Sequence, residues 1–237
     1  MPRLLLALLI LAVAGAVHAD DAQIRRVIEA QIDGAKVEGI EAAPLGLYEV
    51  RVRTARGVQV VYSDANAEHL FIGRIYDTKA ERDITTERLR KLNAVKFDQL
   101  PFEQAVKIQR GNGQRVFAMF SDPHCPYCRQ FEQTLQKMDD ITLYIFMFPV
   151  IRPDLADHSK AVWCSADRGK AWVDLALNGK VPPAKPSCPN PVEKNVELGQ
   201  RLGVSATPTL IFTNGERVSG LLQVTDLNEE LEKTAKR

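Results

Sequence analysis

A chain of 237 residues with 31 Lys plus Arg against 30 Asp plus Glu has almost no net charge, and no basic run stands out along it. Binding to nucleic acid through the phosphate backbone therefore has no electrostatic footprint. With 45% hydrophobic residues and neither internal repeats nor a low-complexity tract, the chain reads as globular, and its four cysteines can be weighed one by one.

The first residues, Met1-Pro2-Arg3, are basic, Leu4 to Val17 is apolar and uncharged, and Val17-His18-Ala19 forms a small-x-small site before Asp20-Asp21. This is the pattern of a secretory signal peptide over residues 1–19. The alternative, a membrane anchor, is disfavoured because spanning usually needs about 20 apolar residues. No later segment is long and apolar enough to span, so the expectation is an exported, soluble chain with no membrane span after cleavage, in which disulfides are chemically possible. Roughly 220 residues then remain, enough for one large or two ordinary domains at about 150 residues each.

Residues 22–32 place Ile24, Val27, Ile28 and Ile32 on one helical face. The run 47–53 alternates Tyr48, Val50 and Val52 with charged residues, and 58–62 and 69–76 are β-rich, divided by Ser63-Asp64-Ala65-Asn66. A small helix-plus-meander domain over residues 20–82 follows, near the lower size limit for a stable core, which makes a partner plausible. From Asp83 the composition turns helical and charged, with Ile84, Leu89, Leu92 and Val95 as apolar positions, and residues 83–99 read as a linker helix.

The second domain, residues 100–237, opens with the strand RVFAMF (115–120), followed by SDPHCPYCR and a helix with Phe131, Leu135 and Met138 at i, i+4 and i+7. Next, ITLYIFMFPV (141–150) has the continuous apolar character of a strand buried on both faces. Strand, helix, strand in this order is a βαβ unit. Helices are expected at 156–166, 170–178 and 191–202, then a strand at Thr209–Phe212, a turn at Asn214-Gly215, a mate at Arg217–Ser219 and a closing helix capped at Asp226 with Glu229. A βαβ half, a helical insert and a hairpin-plus-helix half make a thioredoxin-like sandwich.

Cys125 and Cys128 form a C-x-x-C pair with three common readings. Structural zinc needs a second ligand pair, and Cys164 and Cys188 are too far apart to be one. A c-type haem site needs His after the second Cys, where this chain has Arg129. The redox reading fits, because the pair follows a strand and opens a helix. At a helix N-terminus the unsatisfied N–H groups and the macrodipole favour a thiolate, most of all at Cys125, and Pro126 suits the first turn. Cys125, the more exposed of the two, is then the nucleophile, and Cys128 resolves the mixed disulfide. No cofactor beyond this dithiol and no metal is called for. His124 can support a thiolate or simply face solvent, and Asp122 can cap the helix or face water. Tyr127 lines the surface of the site. His69 and His158 have no visible ligand partners, and Met119 stands where thioredoxin carries its buried acid.

These features together, F-S-D-P-H-C-P-Y-C, a later cysteine pair in V-W-C-S and P-S-C-P, and L-G-V-S-A-T-P-T at 202–209, resemble the periplasmic disulfide isomerases of the DsbC/DsbG family over essentially the whole mature chain. The resemblance implies a cystatin-like α+β N-terminal dimerisation domain, a linker helix and a C-terminal α/β thioredoxin-like domain with a helical insertion. It also implies a homodimer in the periplasm, Cys125 as nucleophile, Cys128 as its partner, and Pro208 as a cis-proline after Thr207. Pro126-Tyr127 is usual in the DsbG branch, whereas Cys164 and Cys188 resemble the structural disulfide of the DsbC branch, which is favoured. The implied function is shuffling or reduction of non-native disulfides in exported proteins, with a membrane reductase of the DsbD type as electron donor. A DsbG-like reductase of sulfenylated cysteines and a redox-independent holdase chaperone are the alternatives. The Thr207 hydroxyl is expected to donate to the Cys125 thiolate.

Overall fold

The computed structural model describes residues 21–55 and 57–235, so the leader read at 1–19 lies outside the described residues. The chain divides into two compact units, one ending at Thr54 with Gln59–Gly73 added, the other made of Ala55–Val58 and the chain from Arg74 onward.

In the first unit, α1 (Asp21–Gln31) buries Ile24 and Ile28 against a four-stranded sheet in the order β1 (Lys36–Ala42), β2 (Tyr48–Thr54), β3 (Gly57–Ser63), β4 (Leu70–Phe71). Val37, Val50, Val52 and Val61 complete this core. The strand β1 escapes a period-two reading because its register against β2 shifts between Val37 and Gly39. The Arg51 guanidinium lies over Gly39, where a Cβ would otherwise stand, and pairs with Glu41. The β-rich run expected at 69–76 is strand only at Leu70–Phe71. Beyond Gly73 the chain enters the second unit, where β5 (Tyr76–Asp77) pairs with β6 (Arg82–Asp83).

The linker helix expected over 83–99 is shorter: α2 spans Ile84–Leu92, with the Asp83 carboxylate accepting from the Thr86 N–H at 2.8 Å as its cap. Asn93 ends it. Its side-chain oxygen accepts from the Val58 N–H at 3.0 Å and its amide donates to the Val58 carbonyl at 2.8 Å, while the Val95 N–H goes to the Gly215 carbonyl at 2.8 Å. With those groups committed elsewhere, the helical ladder cannot continue.

The second unit holds a five-stranded sheet in the order β11 (Arg217–Ser219), β10 (Thr209–Phe212), β8 (Arg115–Ser121), β9 (Ile141–Met147), β7 (Val106–Gln109). Only β8 and β9 are parallel, joined by α3 (Pro126–Leu135) as the βαβ unit requires. The sheet begins one strand earlier than RVFAMF: β7 is a four-residue edge strand antiparallel to β9, too short to carry a periodic signal. Phe117 and Met119 of β8 enter a core with Phe131 and Leu135 of α3, Trp172 of α5 (Arg168–Asn178) and Leu227 of α7 (Val224–Ala235). Ala118 and Phe120 face the other way, into a core with Phe146 and with Leu198 of α6 (Val192–Arg201). Burial on both faces is why β8 and β9 read as unbroken apolar runs. The helical insertion is α4 (Ala156–Cys164) followed by α5. The closing helix starts two residues before Asp226, whose carboxylate reaches back to the Gln223 N–H at 3.4 Å, so Asp226 fills the inner position of a capping box.

Candidate active site

The register of β10 against β8 pairs Thr209 with Phe120, which carries Thr207 and Pro208 to the same sheet end as Ser121 and Asp122, where α3 begins. Cys125 is the N-cap of α3, its backbone extended at φ −78° and ψ 124°, with Pro126 at the first helical position. The Thr207-Pro208 peptide is cis. The Cys125 thiol donates to the Thr207 carbonyl at 3.4 Å.

Exposure does not separate the two thiols as expected, since Cys125 is 3% and Cys128 1% accessible. What separates them is position along the helix. Cys125 precedes the first turn, whereas Cys128 lies one turn inside. Burial pushes the Cys128 thiol up to about 12; the Ser121 hydroxyl, the Asp122 N–H and the Thr207 hydroxyl pull it down, and the neighbouring Cys125 adds to the rise. The Thr207 hydroxyl, expected to donate to Cys125, has no hydrogen-bond partner in the structure. Its carbonyl is what Cys125 meets.

Asp122 neither caps α3 through its side chain nor faces water. It is fully buried, one carboxylate oxygen accepting from the His124 N–H at 2.8 Å and the other from the Ile151 N–H at 2.7 Å, and its carbonyl accepts from the Cys125 N–H at 3.1 Å. One side chain thus braces the loop that presents Cys125 against the segment after β9. His124 is only partly buried and its Nε2 lies 3.1 Å from Nδ1 of His158 on α4. Burial lowers the His124 pKa from its ordinary value, the Asp122 carboxylate opposes this, and His158, Arg152 and Arg129 reinforce it. Tyr127 projects from the first turn and is exposed.

A buried acid is nevertheless present, in a place sequence reasoning missed. Met119 is fully buried and apolar as read, but Glu132, one turn after Cys128 on α3, is fully buried too. Trp172 Nε1 donates to Glu132 Oε1 at 2.6 Å, and burial pushes the carboxyl up to about 7 against that bond and Arg110. The available signal was its place between the core positions Phe131 and Leu135.

Cys164, at the end of α4, is disulfide-bonded to Cys188, with Cα atoms 5.8 Å apart. Cys125 and Cys128 are free thiols. Among the described residues no group of three His, Cys, Asp or Glu side chains is placed to hold a metal ion.

A free dithiol at the first turn of a helix, on a thioredoxin-like sheet and beside a cis-proline, defines a thiol:disulfide oxidoreductase. Known proteins resolve the class further. Residues 102–235 match the thioredoxin-like domain model and residues 15–86 the model of the disulfide bond isomerase protein N-terminal domain. A probable thiol:disulfide interchange protein DsbC of Bordetella parapertussis is 39% identical over 201 residues, covering 85% of this chain and 70% of that protein. The thiol:disulfide interchange protein DsbC of Escherichia coli K12 is 28% identical over 235 residues, covering 96% and 94% of the two chains. The crystal structure of a disulfide interchange protein from Neisseria gonorrhoeae superposes with a TM-score of 0.55 at 41% identity, covering 57% of this chain and 98% of that one. The chain belongs to the DsbC family of thiol:disulfide interchange proteins, and its activity is disulfide isomerisation. No helix among the described residues is long and apolar enough to cross a membrane.

Proposed function

We propose that Cys125 is the attacking thiol and Cys128 the resolving thiol of this isomerase. The observation that carries the assignment is the asymmetry of the pair: Cys125 sits at the N-cap of α3, whereas burial pushes Cys128 up to about 12. The helix N-terminus stabilises a thiolate at the first position, and the second is released only when needed. Reduced Cys125 attacks a non-native disulfide, a mixed disulfide forms, and either another client thiol or Cys128 ends it. Exchange then needs no cofactor beyond the dithiol. Thr207 and Pro208, with Pro126, Tyr127 and His124 around them, form the surface that receives an extended client segment.

On this reading residues 1–19 are a cleaved leader, 20–82 a dimerisation domain, 83–99 the link and 100–237 the catalytic domain. The protein works as a periplasmic homodimer on misoxidised exported proteins and is kept reduced by a membrane reductase of the DsbD type. The exposed Leu45, Phe71 and Ile72 of the first unit favour a partnered N-terminal domain.

The test is refolding of a scrambled multi-disulfide substrate with the reduced protein. Recovery of native activity that disappears in Cys125→Ser supports the assignment. Undiminished recovery in that variant would remove Cys125 from the role. A Cys125→Ala, Cys128→Ala variant that still suppresses aggregation would isolate a holdase contribution.

A further inference from the structure

Two buried hydroxyls at the active-site end of the sheet have no hydrogen-bond partner: Ser121 Oγ, on the last residue of β8, and Thr207 Oγ, before Pro208. Ser121 is 0% and Thr207 7% accessible. A buried hydroxyl without a partner is costly, and such groups at a reactive centre are expected to find one during the reaction. The main chain around both is already committed. The Ser121 carbonyl accepts from the Phe148 N–H at 2.9 Å, and the Thr207 carbonyl takes the Cys125 thiol at 3.4 Å. Each hydroxyl therefore has its donor hydrogen to give, and the strand register brings both to the start of α3.

From this placement we infer that Ser121 and Thr207 form a donor pocket for the Cys128 sulfur, closing hydrogen bonds on it only when it becomes a thiolate. The inference rests on Cys125 and Cys128 acting as nucleophile and resolving thiol. In the resolving step Cys128 loses its proton to solvent and its sulfur attacks Cys125 Sγ in the mixed disulfide. The Cys125–Cys128 bond forms, the bond from Cys125 to the client sulfur breaks, and the client leaves as a thiolate that takes up a proton. The protein dithiol is oxidised by two electrons and the client disulfide is reduced by two. In the reverse direction Cys128 is the leaving thiolate. Both directions pass through a buried anion at Cys128, which burial alone would make prohibitive. The Asp122 N–H also acts on this sulfur, so the pocket has one backbone donor and two hydroxyls. The sequence marks Ser121 only as a strand end, because its partner lies on the next helix.

The experiment follows both half-reactions of the reduced full-length protein with a chromogenic aromatic disulfide. Attack by Cys125 releases one coloured thiolate, and attack by Cys128 on the mixed disulfide releases the second. Loss of one hydrogen bond to a charged sulfur is worth about tenfold to a hundredfold in rate. Ser121→Ala is expected to slow the second release at least about tenfold more than the first, and to move its pH midpoint upward. Ser121→Thr, which keeps the hydroxyl, restores both. Thr207→Val shows the same selective loss and keeps the pocket testable should Ser121→Ala fold poorly. Equal slowing of the two releases, or no change in the second in either variant, overturns the donor pocket. A wild-type protein that releases only one thiolate removes the dithiol assignment itself, and the pocket with it.

Discussion

One cysteine of each pair in the second unit stands at a helix end, Cys125 at the start of α3 and Cys164 at the end of α4, and that difference sets their electrostatic surroundings apart. Cys125 stands at the N-cap of α3, where backbone N–H groups gather. Cys164 is the last residue of α4, where carbonyls gather, and is bonded to Cys188. A helix N-terminus stabilises a thiolate and a C-terminus opposes one, so the first pair is built to exchange and the second to stay closed. The side chain is the same. Its position relative to a helix end decides what it does. The insertion meets α3 through the buried bond from Trp172 on α5 to Glu132 and through Arg129, which donates to the Ala176 carbonyl at 3.2 Å.

The largest effect that would break this contrast is on activity. Cys125→Ser is expected to abolish exchange in the scrambled-substrate assay, whereas the paired change Cys164→Ala, Cys188→Ala retains it. Loss of exchange in a folded Cys164→Ala, Cys188→Ala protein would show that the second pair takes part in the chemistry. That paired change should instead appear in stability. Opening a loop with a separation of 24 residues costs about 3.5 kcal/mol in the chain-entropy model, read from urea unfolding.

Glu132 sharpens the contrast through pH. Its folded-state pKa of about 7 lies above the ordinary 4.5, so the folded protein holds a proton that the unfolded chain releases. Its penalty is absent below the unfolded value, grows as pH rises through that window, and is complete above the folded value, where it amounts to about 3 kcal/mol. Glu132→Gln should therefore be more stable than the native protein at alkaline pH and match it in acid. Parallel stability profiles of the two proteins would show that Glu132 does not titrate in this way.

The smallest expected effect lies at His124. Its pKa is lowered, first by burial and then by His158 and the cations Arg152 and Arg129, with Asp122 opposing. Folding favours the neutral ring, so its contribution is present above the unfolded value and is lost as pH falls from there through the lower folded value. Replacing His158 with Ala removes one repulsive partner and should raise the His124 midpoint in an NMR titration. A midpoint that does not move would mean the 3.1 Å contact carries no charge coupling.

Much of the catalytic domain was legible because its signals are local. The apolar runs of β8 and β9, the C-x-x-C after a strand, Pro126 at a helix start and the hairpin at Asn214-Gly215 all lie within a few residues of the features they specify. Short edge strands were not legible. Neither β7, at four residues, nor β1, with its shifted register at Gly39, offers an uninterrupted alternation. Helix α2 read too long because the backbone N–H that leaves its ladder, that of Val95, goes to the Gly215 carbonyl in a distant part of the sequence.

The class of chemistry is already written in the chain, since a dithiol opening a helix and a Thr-Pro before the last hairpin are covalent and near-neighbour facts. How that chemistry is tuned depends on the folded chain. Folding turned Asp122 inward to brace the loop, gave the Thr207 carbonyl to Cys125, paired His124 with His158, and buried Glu132 against Trp172. Each of those assignments depends on which distant backbone or side chain arrives at the sheet end, and on how much water that arrival excludes. Burial and hydrogen-bond partners set the cost of a charge, and neither exists until the strands are in register.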